Sequence, residues 1–367
     1  MVNIGIIGTG VGIRTYLNAF TKIPGANVKG IVGSSPERTE FFSNKANIPF
    51  NYRTVDDLCA DSLLDVICIA SPNNYHLEHL KKAITSNKFI ICEKPITNDY
   101  NDLKQDSSIL LSYKPRIVVN HQLRFNPYIK KIKEIILSGS LGRLLNIRIH
   151  QQGTGFSNRE LNWNWSFDRN QGGGVRLAMG SHLIDLVKYL IDKDFQKVDC
   201  QLDSIVAERF DPTTNRRRVV TGSGMFDCSG TLVDGTKVNL FATAGAFTGS
   251  RFDISVYGTD GELQFDLKSK LITSNLSCIG RAEQVMVDGV YDDELQNTVS
   301  IFSGSFRYLA NQIVECLEKS DPKIEGVSRI EDALWQLQVL DACLKSSISG
   351  EEVFIGDNKA LPNLELI

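Results

Sequence analysis

Gly8-Thr9-Gly10-Val11-Gly12 is a glycine loop of the kind that holds a phosphate. Glycines let backbone N–H groups come close to a pyrophosphate, and the N-terminus of a following helix favours its negative charge. Both flanks suit that use. Val2, Ile4, Ile6 and Ile7 form an apolar, β-branched run ahead of the loop, and Ile13, Leu17 and Phe20 share one face of a helix behind it. The third glycine follows the first by four residues, where G-x-G-x-x-G has five, and Ile13 stands in the usual place. Gly8, Thr9, Gly10, Val11, Gly12 and Ile13 are therefore expected to hold a dinucleotide. The alternative is a tight strand-to-helix turn without a ligand.

Four further segments carry reactive or hydrogen-bonding side chains. They are Ser71-Pro72-Asn73-Asn74-Tyr75-His76, Glu93-Lys94-Pro95, the stretch from His121 through Arg124 to Pro127, and Gly172 to Asp185 with His182. The first three each follow a short apolar run, at 66–70, 89–92 and 117–119. With a further strand at 28–32 and helices at 38–46, 74–86 and 99–112, these alternate as strand and helix, the pattern of a parallel sheet covered on both faces. Such a sheet binds ligands at the carboxyl ends of its strands, where the three segments fall. The second strand ends in Gly33-Ser34-Ser35-Pro36-Glu37-Arg38, with no acid before Glu37. An acid there would bond the ribose 2′-hydroxyl of NAD, whereas Ser34, Ser35 and Arg38 suit a 2′-phosphate, so NADP is expected in preference to NAD. His76 and His79 share a helix face, but no further ligands are organised around them and no metal is expected.

Beyond Asn120 the rhythm changes. A helix at 127–137 precedes longer strand-like segments at 145–152, 198–208, 219–226, 231–244, 252–257 and 262–267. Hairpins are expected at Cys228-Ser229-Gly230, Asp234-Gly235 and Thr259-Asp260-Gly261. Helices at 174–190, 302–317 and 328–347 would cover one face of the resulting sheet. The fold class is therefore α/β: a doubly wound parallel-sheet domain over 1–121, then an α+β domain over 122–367 with a large open, mostly antiparallel sheet.

The 367 residues suit two domains, and a net charge of −3 gives no reason to expect nucleic acid or an anionic membrane as partner. Arg216-Arg217-Arg218 reads as a solvated turn. Eight cysteines are scattered without a C-x-x-C, and Cys68 and Cys92 sit inside apolar runs, which favours a reducing, cytoplasmic location over a disulfide frame or a zinc site. The N-terminus is expected to run directly into a strand without a basic-then-apolar leader, so secretion is not expected, and no apolar run approaches the roughly 18 residues that span a bilayer. The sequon Asn275-Leu276-Ser277 carries no meaning in the cytosol.

With these motifs in this order, the sequence resembles the Gfo/Idh/MocA family (glucose–fructose oxidoreductase, inositol dehydrogenase and rhizopine-catabolism proteins) over essentially its whole length. The resemblance implies a Rossmann domain followed by an α/β domain whose open sheet often forms the oligomer interface, hence a homo-oligomer, dimer or tetramer. It implies hydride transfer between NAD(P) and the hydroxyl of a small carbohydrate or polyol. It makes Lys94 the acid/base group, usually before a cis proline, and lines the cofactor with Ser71, Pro72, Asn73 and His76, with Glu93, Lys94 and His121 at the neighbouring strand ends.

The chemistry supports that role for Lys94. Oxidising a secondary alcohol requires a base for the hydroxyl proton with a pKa near working pH. A lysine partly buried beside an oxidised, positively charged nicotinamide is pushed down toward that range; the alternative is a surface lysine opening a loop. In the family the glycine-rich helix usually carries an aspartate and a histidine four residues apart, both reaching substrate. Here the histidine is His182 and the aspartate position is Ala178, which cannot bond a sugar hydroxyl. Asp185 is expected either to orient His182 toward substrate or to act structurally, and His182 either bonds substrate or is a satisfied core histidine. Arg124, Trp163 and Trp165 are further substrate candidates, the tryptophans because aromatics stack on sugar faces, although such pairs equally serve as core or interface. The missing aspartate also resembles the branch called glucose-fructose oxidoreductase domain-containing proteins. The family includes a non-catalytic dinucleotide-binding regulator, so a sensor of the same fold is the alternative to an enzyme.

Overall fold

The short apolar runs of the first third become buried strands because both of their faces are covered. The computed structural model describes residues 1–113, 116–268, 271–275, 283–287, 298–319 and 324–356; Cys278 and the sequon residues Leu276 and Ser277 lie outside them. The helices are α1 (Asn18–Phe20, continuing a π turn over Gly12–Leu17), α2 (Pro36–Ala46), α3 (Val55–Ala60), α4 (His76–Ile84), α5 (Tyr100–Ser112), α6 (Pro127–Leu137), α7 (Ser181–Ile191), α8 (Thr298–Glu318) and α9 (Ile330–Ser349). Two units form: Met1–Lys130 with Gly289–Leu334, and Lys131–Asp288 with Trp335–Ile367.

In the first unit β1 (Val2–Ile7), β2 (Ala26–Val32), β3 (Phe50–Asn51), β4 (Val66–Ile69), β5 (Phe89–Cys92) and β6 (Ile117–Val119) make one parallel sheet in the order β3-β2-β1-β4-β5-β6. That is the Rossmann order, whose strand direction of travel reverses beside β1. Every residue of β4, β5 and β6 is buried. Ladder bonds continue past the strand ends: Gly8 N–H to Val32 O (2.8 Å), Ala70 N–H to Ile7 O (2.8 Å), Glu93 N–H to Ile69 O (2.8 Å) and Asn120 N–H to Cys92 O (2.7 Å). Four chemically loaded loops are thereby brought to one edge.

Helix α8 corrects an expectation. The stretch 302–317 was expected on the second sheet, but Phe306, Leu309, Ala310, Ile313 and Val314 pack into the core of the first unit with Ile4, Ile6, Tyr16 and Phe20. The Phe306 ring lies 4.2 Å from that of Tyr16 and 5.8 Å from that of Phe20, edge-on to the latter. Periodicity identified the helix; it carries no information about which apolar face will receive it.

In the second unit β7 (Leu144–Gln152), β8 (Phe195–Asp203), β11 (Met225–Leu232), β12 (Lys237–Thr243), β13 (Arg251–Gly258), β14 (Glu262–Asp266), β15 (Leu271–Asn275), β16 (Glu283–Val285) and β17 (Val353–Phe354) form a sheet in the order β16-β15-β14-β13-β7-β12-β11-β8-β17. The β7–β12 pair is parallel and the other pairs are antiparallel. β12 and β13 alternate buried and part-exposed residues, the mark of one covered and one open face. A separate hairpin pairs β9 (Glu208–Asp211) with β10 (Arg216–Val219). Two expectations are corrected here. Arg216 to Arg218 is strand rather than turn, and Cys228-Ser229-Gly230 lies inside β11, where Gly230 gives way to the Phe195 ring: a Cβ there would sit 2.5 Å from it.

Candidate active site

The glycine loop is built by what it excludes. Gly8 holds φ +113°, and a Cβ on it would lie 2.3 Å from the Ala70 carbonyl oxygen; one on Gly12 would lie 2.7 Å from an Ile6 methyl. Gly10 differs, since a Cβ there would meet nothing within 4 Å. The loop is thus packed down onto β1 and β4 at both ends and open in its middle, which is the shape a pyrophosphate cradle requires. Val11 is exposed, and Arg14 N–H bonds the Gly10 carbonyl at 3.2 Å.

The end of β2 leans over the same loop. Ser35 caps α2, accepting from Arg38 N–H at 3.2 Å, and Pro36 opens the helix. Arg38 turns back so that its Nε donates to Thr9 Oγ1 at 2.6 Å, with its guanidinium 5.0 Å from the Phe42 ring centre. Arg38 and Ser34 are exposed at this position and Ser35 is half-buried. A fixed cation and two hydroxyls beside the loop fit a ribose phosphate group.

At the end of β5, Lys94 is half-buried and precedes a cis peptide to Pro95. Burial pulls its pKa down to about 8, against the charge of Glu93, which raises it. Glu93 itself faces the sheet. Its Oε1 accepts from Tyr16 Oη at 3.0 Å and from Asn120 Nδ2 at 2.7 Å, and its Oε2 from Lys94 N–H at 3.3 Å. Asn120 Nδ2 is also 3.0 Å from Tyr16 Oη. This triangle, with Tyr16 and Asn120 buried and Glu93 half-buried, joins the helix after the glycine loop to the ends of β5 and β6, and burial together with Glu93 raises the Tyr16 pKa. Tyr16 and Asn120 gave no signal in the sequence: neither lies in a motif.

His76 begins α4 with both ring nitrogens engaged, Nδ1 at 2.7 Å from Pro95 O and Nε2 at 2.6 Å from Ser71 O, while His79 Nδ1 is 2.9 Å from Ser71 Oγ. These histidines brace the Ser71 and Pro95 loops. Pro72 is extended, and Asn73 starts the 3-10 turn that leads into α4. His121 is buried at the end of β6, and Arg124, also buried, pairs with Asp332 at 3.4 Å.

In the second unit the glycine-rich segment makes a tight corner. Gly172 and Gly174 hold φ +80° and +93°, and a Cβ on Gly173 would lie 2.5 Å from the Ser166 backbone. A π turn over Arg176–Gly180 follows and then α7, so Ala178 is exposed in the turn while His182 and Asp185 are buried on the helix. The two tryptophans part company. Trp163 lies under the Arg218 guanidinium at 3.4 Å, which Asp211 (3.3 Å) and Asp168 (3.7 Å) hold in place. Trp165 is 39% exposed. Arg209, buried against the Phe167 ring at 4.2 Å, donates to the carbonyls of Asn158, Leu161 and Phe156 at 2.8–3.1 Å and so fixes the loop carrying both tryptophans. Sequence reading missed Arg209 and Arg218, whose roles depend on a hairpin that pairs late in the chain.

Residues 2–121 match the model of the oxidoreductase family with an NAD-binding Rossmann fold, and residues 129–264 match the GFO/IDH/MocA C-terminal domain. A glucose-fructose oxidoreductase domain-containing protein 2 of Xenopus laevis is 24% identical over 95% of this chain and 92% of its own. A glucose-6-phosphate 3-dehydrogenase of Bacillus subtilis is 29% identical over 53% of this chain and 55% of its own. The solved structure of a levoglucosan dehydrogenase with NADH and L-sorbose superposes with a TM-score of 0.84 at 19% identity, covering 96% of this chain and 98% of that one, a likeness of fold.

Proposed function

The chain belongs to the Gfo/Idh/MocA family of oxidoreductases, and from that premise we propose that it is an NADP-dependent dehydrogenase of a sugar, sugar derivative or cyclic polyol. The observation carrying the reading is Lys94: an amine at the end of a buried strand, half-buried, with its pKa drawn to about 8 by burial. At neutral to mildly alkaline pH such a group exchanges protons readily in either direction.

Gly8 to Ile13 would hold the pyrophosphate, and Ser34, Ser35 and Arg38 the adenosine ribose phosphate. When bound, the nicotinamide supplies the hydride acceptor or donor. Lys94 takes the hydroxyl proton on its Nζ during oxidation and returns it in reduction. His76, Ser71 and the Glu93–Tyr16–Asn120 triangle keep the Lys94 loop in position. His182 is assigned the hydrogen bond to the reacting hydroxyl, and Trp165 the apolar face of the sugar ring. The second unit's open sheet face as a surface of self-association, and a cytosolic location with reduced thiols, belong to the same proposal.

The named relatives make hexoses, hexose phosphates and anhydrosugars the first compounds to try. The test is a screen of these with NADP and with NAD, following reduced-coenzyme fluorescence. Reduction of coenzyme by at least one sugar, lost in Lys94→Met, is expected. One observation favours a second reading: Ala178 offers no polar group at the position where the family usually has an acid. Saturable coenzyme binding with no hydride transfer to any sugar would make the protein a dinucleotide-sensing regulator.

A further inference from the structure

Cys200, Cys228 and Cys343 come from three separated stretches of sequence, on β8, β11 and α9, and their sulfur atoms all lie within 4.8 Å of one another. The first two are register partners across the antiparallel β8–β11 pair, and the third descends on them from α9, with Cys228 Sγ and Cys343 Sγ 3.7 Å apart. All three are buried, at 2%, 1% and 0% exposure. A cation bound to thiolates at about 2.3 Å needs sulfurs roughly 4 Å apart, so this spacing is close to that of a loaded site.

A cation of the protein's own accompanies them. Arg176 is buried beside Leu340, its Nη1 donating to that carbonyl at 3.1 Å, one turn of α9 before Cys343. Its positive charge acts on Cys343 and Cys200. Asp341, whose charge also acts on it, is paired with Lys345 at 2.9 Å. The neighbouring Cys200 thiol and burial raise the Cys228 pKa, so thiolates able to pair with this guanidinium form only as a cation displaces their protons.

We propose that Cys200, Cys228 and Cys343 form an all-thiolate site for a d10 cation, Zn2+ or Cu+, that clamps α9 onto β8 and β11. Soft sulfur donors without oxygen or nitrogen select these ions over Mg2+ or Ca2+. Three thiolates, Zn2+ and the Arg176 guanidinium sum to zero charge; Cu+ is the better match to three donors. On loading, three thiol protons leave to solvent as three metal–sulfur bonds form, and no oxidant is needed. A small cleft lined by Arg169, Arg176, Leu202, Ser223 and Leu344 reaches the Arg176 side of the cluster; the three sulfurs themselves are buried behind it. The site is independent of the glycine loop and of Lys94, so its failure would leave the proposed dehydrogenase untouched.

The test takes the full-length chain, reduced and stripped of metal, and offers ZnCl2 in one arm and Cu+ stabilised by acetonitrile in the other, under argon. Elemental analysis after desalting is expected to find a single retained cation per chain in at least one arm, and none in Cys228→Ser or Cys343→Ser. Retention undiminished in those variants, or no retention in either arm, overturns the site. Should the variants fail to fold, crystals of the unaltered chain grown with CdCl2 decide. An anomalous peak among the three sulfurs supports the site, and cadmium bound only elsewhere overturns it.

Discussion

His76 holds its Nδ1 2.7 Å from the carbonyl oxygen of Pro95, the residue after Lys94. Its Nε2 is 2.6 Å from the Ser71 carbonyl, so one imidazole braces two of the loops at the sheet edge. A neutral imidazole has one N–H to give and a protonated one has two. Burial lowers the His76 pKa, while the Pro95 and Ser71 carbonyls and the Glu93 charge raise it less.

His76→Phe removes the one N–H that the neutral ring gives to these two carbonyls and is expected to cost about 1–3 kcal/mol of stability, read from urea unfolding. The pH dependence carries a sign. With the folded pKa below that of the unfolded chain, the unfolded chain takes the proton first as pH falls. The stability contribution is therefore intact above about 6.5, the unfolded value, and declines as pH falls toward the folded one. The variant should show a flatter profile across that window; an unchanged profile removes His76 as its source.

Lys94→Met is expected to lower turnover by roughly 10²–10⁴-fold with coenzyme affinity little changed. In the unaltered protein, alcohol oxidation needs the free amine, so kcat/KM for oxidation should rise through about pH 8, and ketone reduction should fall over the same range. A profile without an inflection there, or full turnover in the variant, removes Lys94 from proton transfer.

Arg38→Ala should weaken NADP binding by roughly tenfold or more, equivalent to about 1.4 kcal/mol, and leave NAD within a few-fold. Titration by fluorescence quenching measures both. Equal losses for the two coenzymes would assign Arg38 to shaping the loop through Thr9 instead of reading a phosphate.

Gly8 and Gly10 predict opposite behaviour from the same substitution. Gly8→Ala forces a side chain into a left-handed conformation against the Ala70 carbonyl and should cost at least about 1–3 kcal/mol of stability. Gly10→Ala enters open space and should fold normally, yet bind coenzyme poorly. If both variants bind as the unaltered chain does, the loop is a structural turn.

What the sequence disclosed follows from the range of the forces involved. The apolar runs at 66–70 and 89–92 read as buried strands because a parallel strand buried on both faces leaves a continuous local pattern. Lys94-Pro95 stood out because it directly follows such a run. Nothing local distinguishes Tyr16, whose importance comes from Glu93 and Asn120 far along the chain, or Arg209, whose partners lie about fifty residues earlier. Arg216 to Arg218 misled for the converse reason: a charged run looks solvated, yet Arg218 spends its charge on Asp211 and its face on Trp163. Trp163 and Trp165 were indistinguishable until that hairpin separated a clamped ring from an exposed one.

Helix α8 has a consequence for biogenesis. A ribosome delivers Tyr16 and Phe20 long before it makes Phe306, and those aromatic side chains need that late helix to leave water. The coenzyme fold at the amino end thus stays incomplete through most of translation. A chain truncated ahead of Thr298 would present a sticky apolar strip to chaperones instead of a finished nucleotide-binding module.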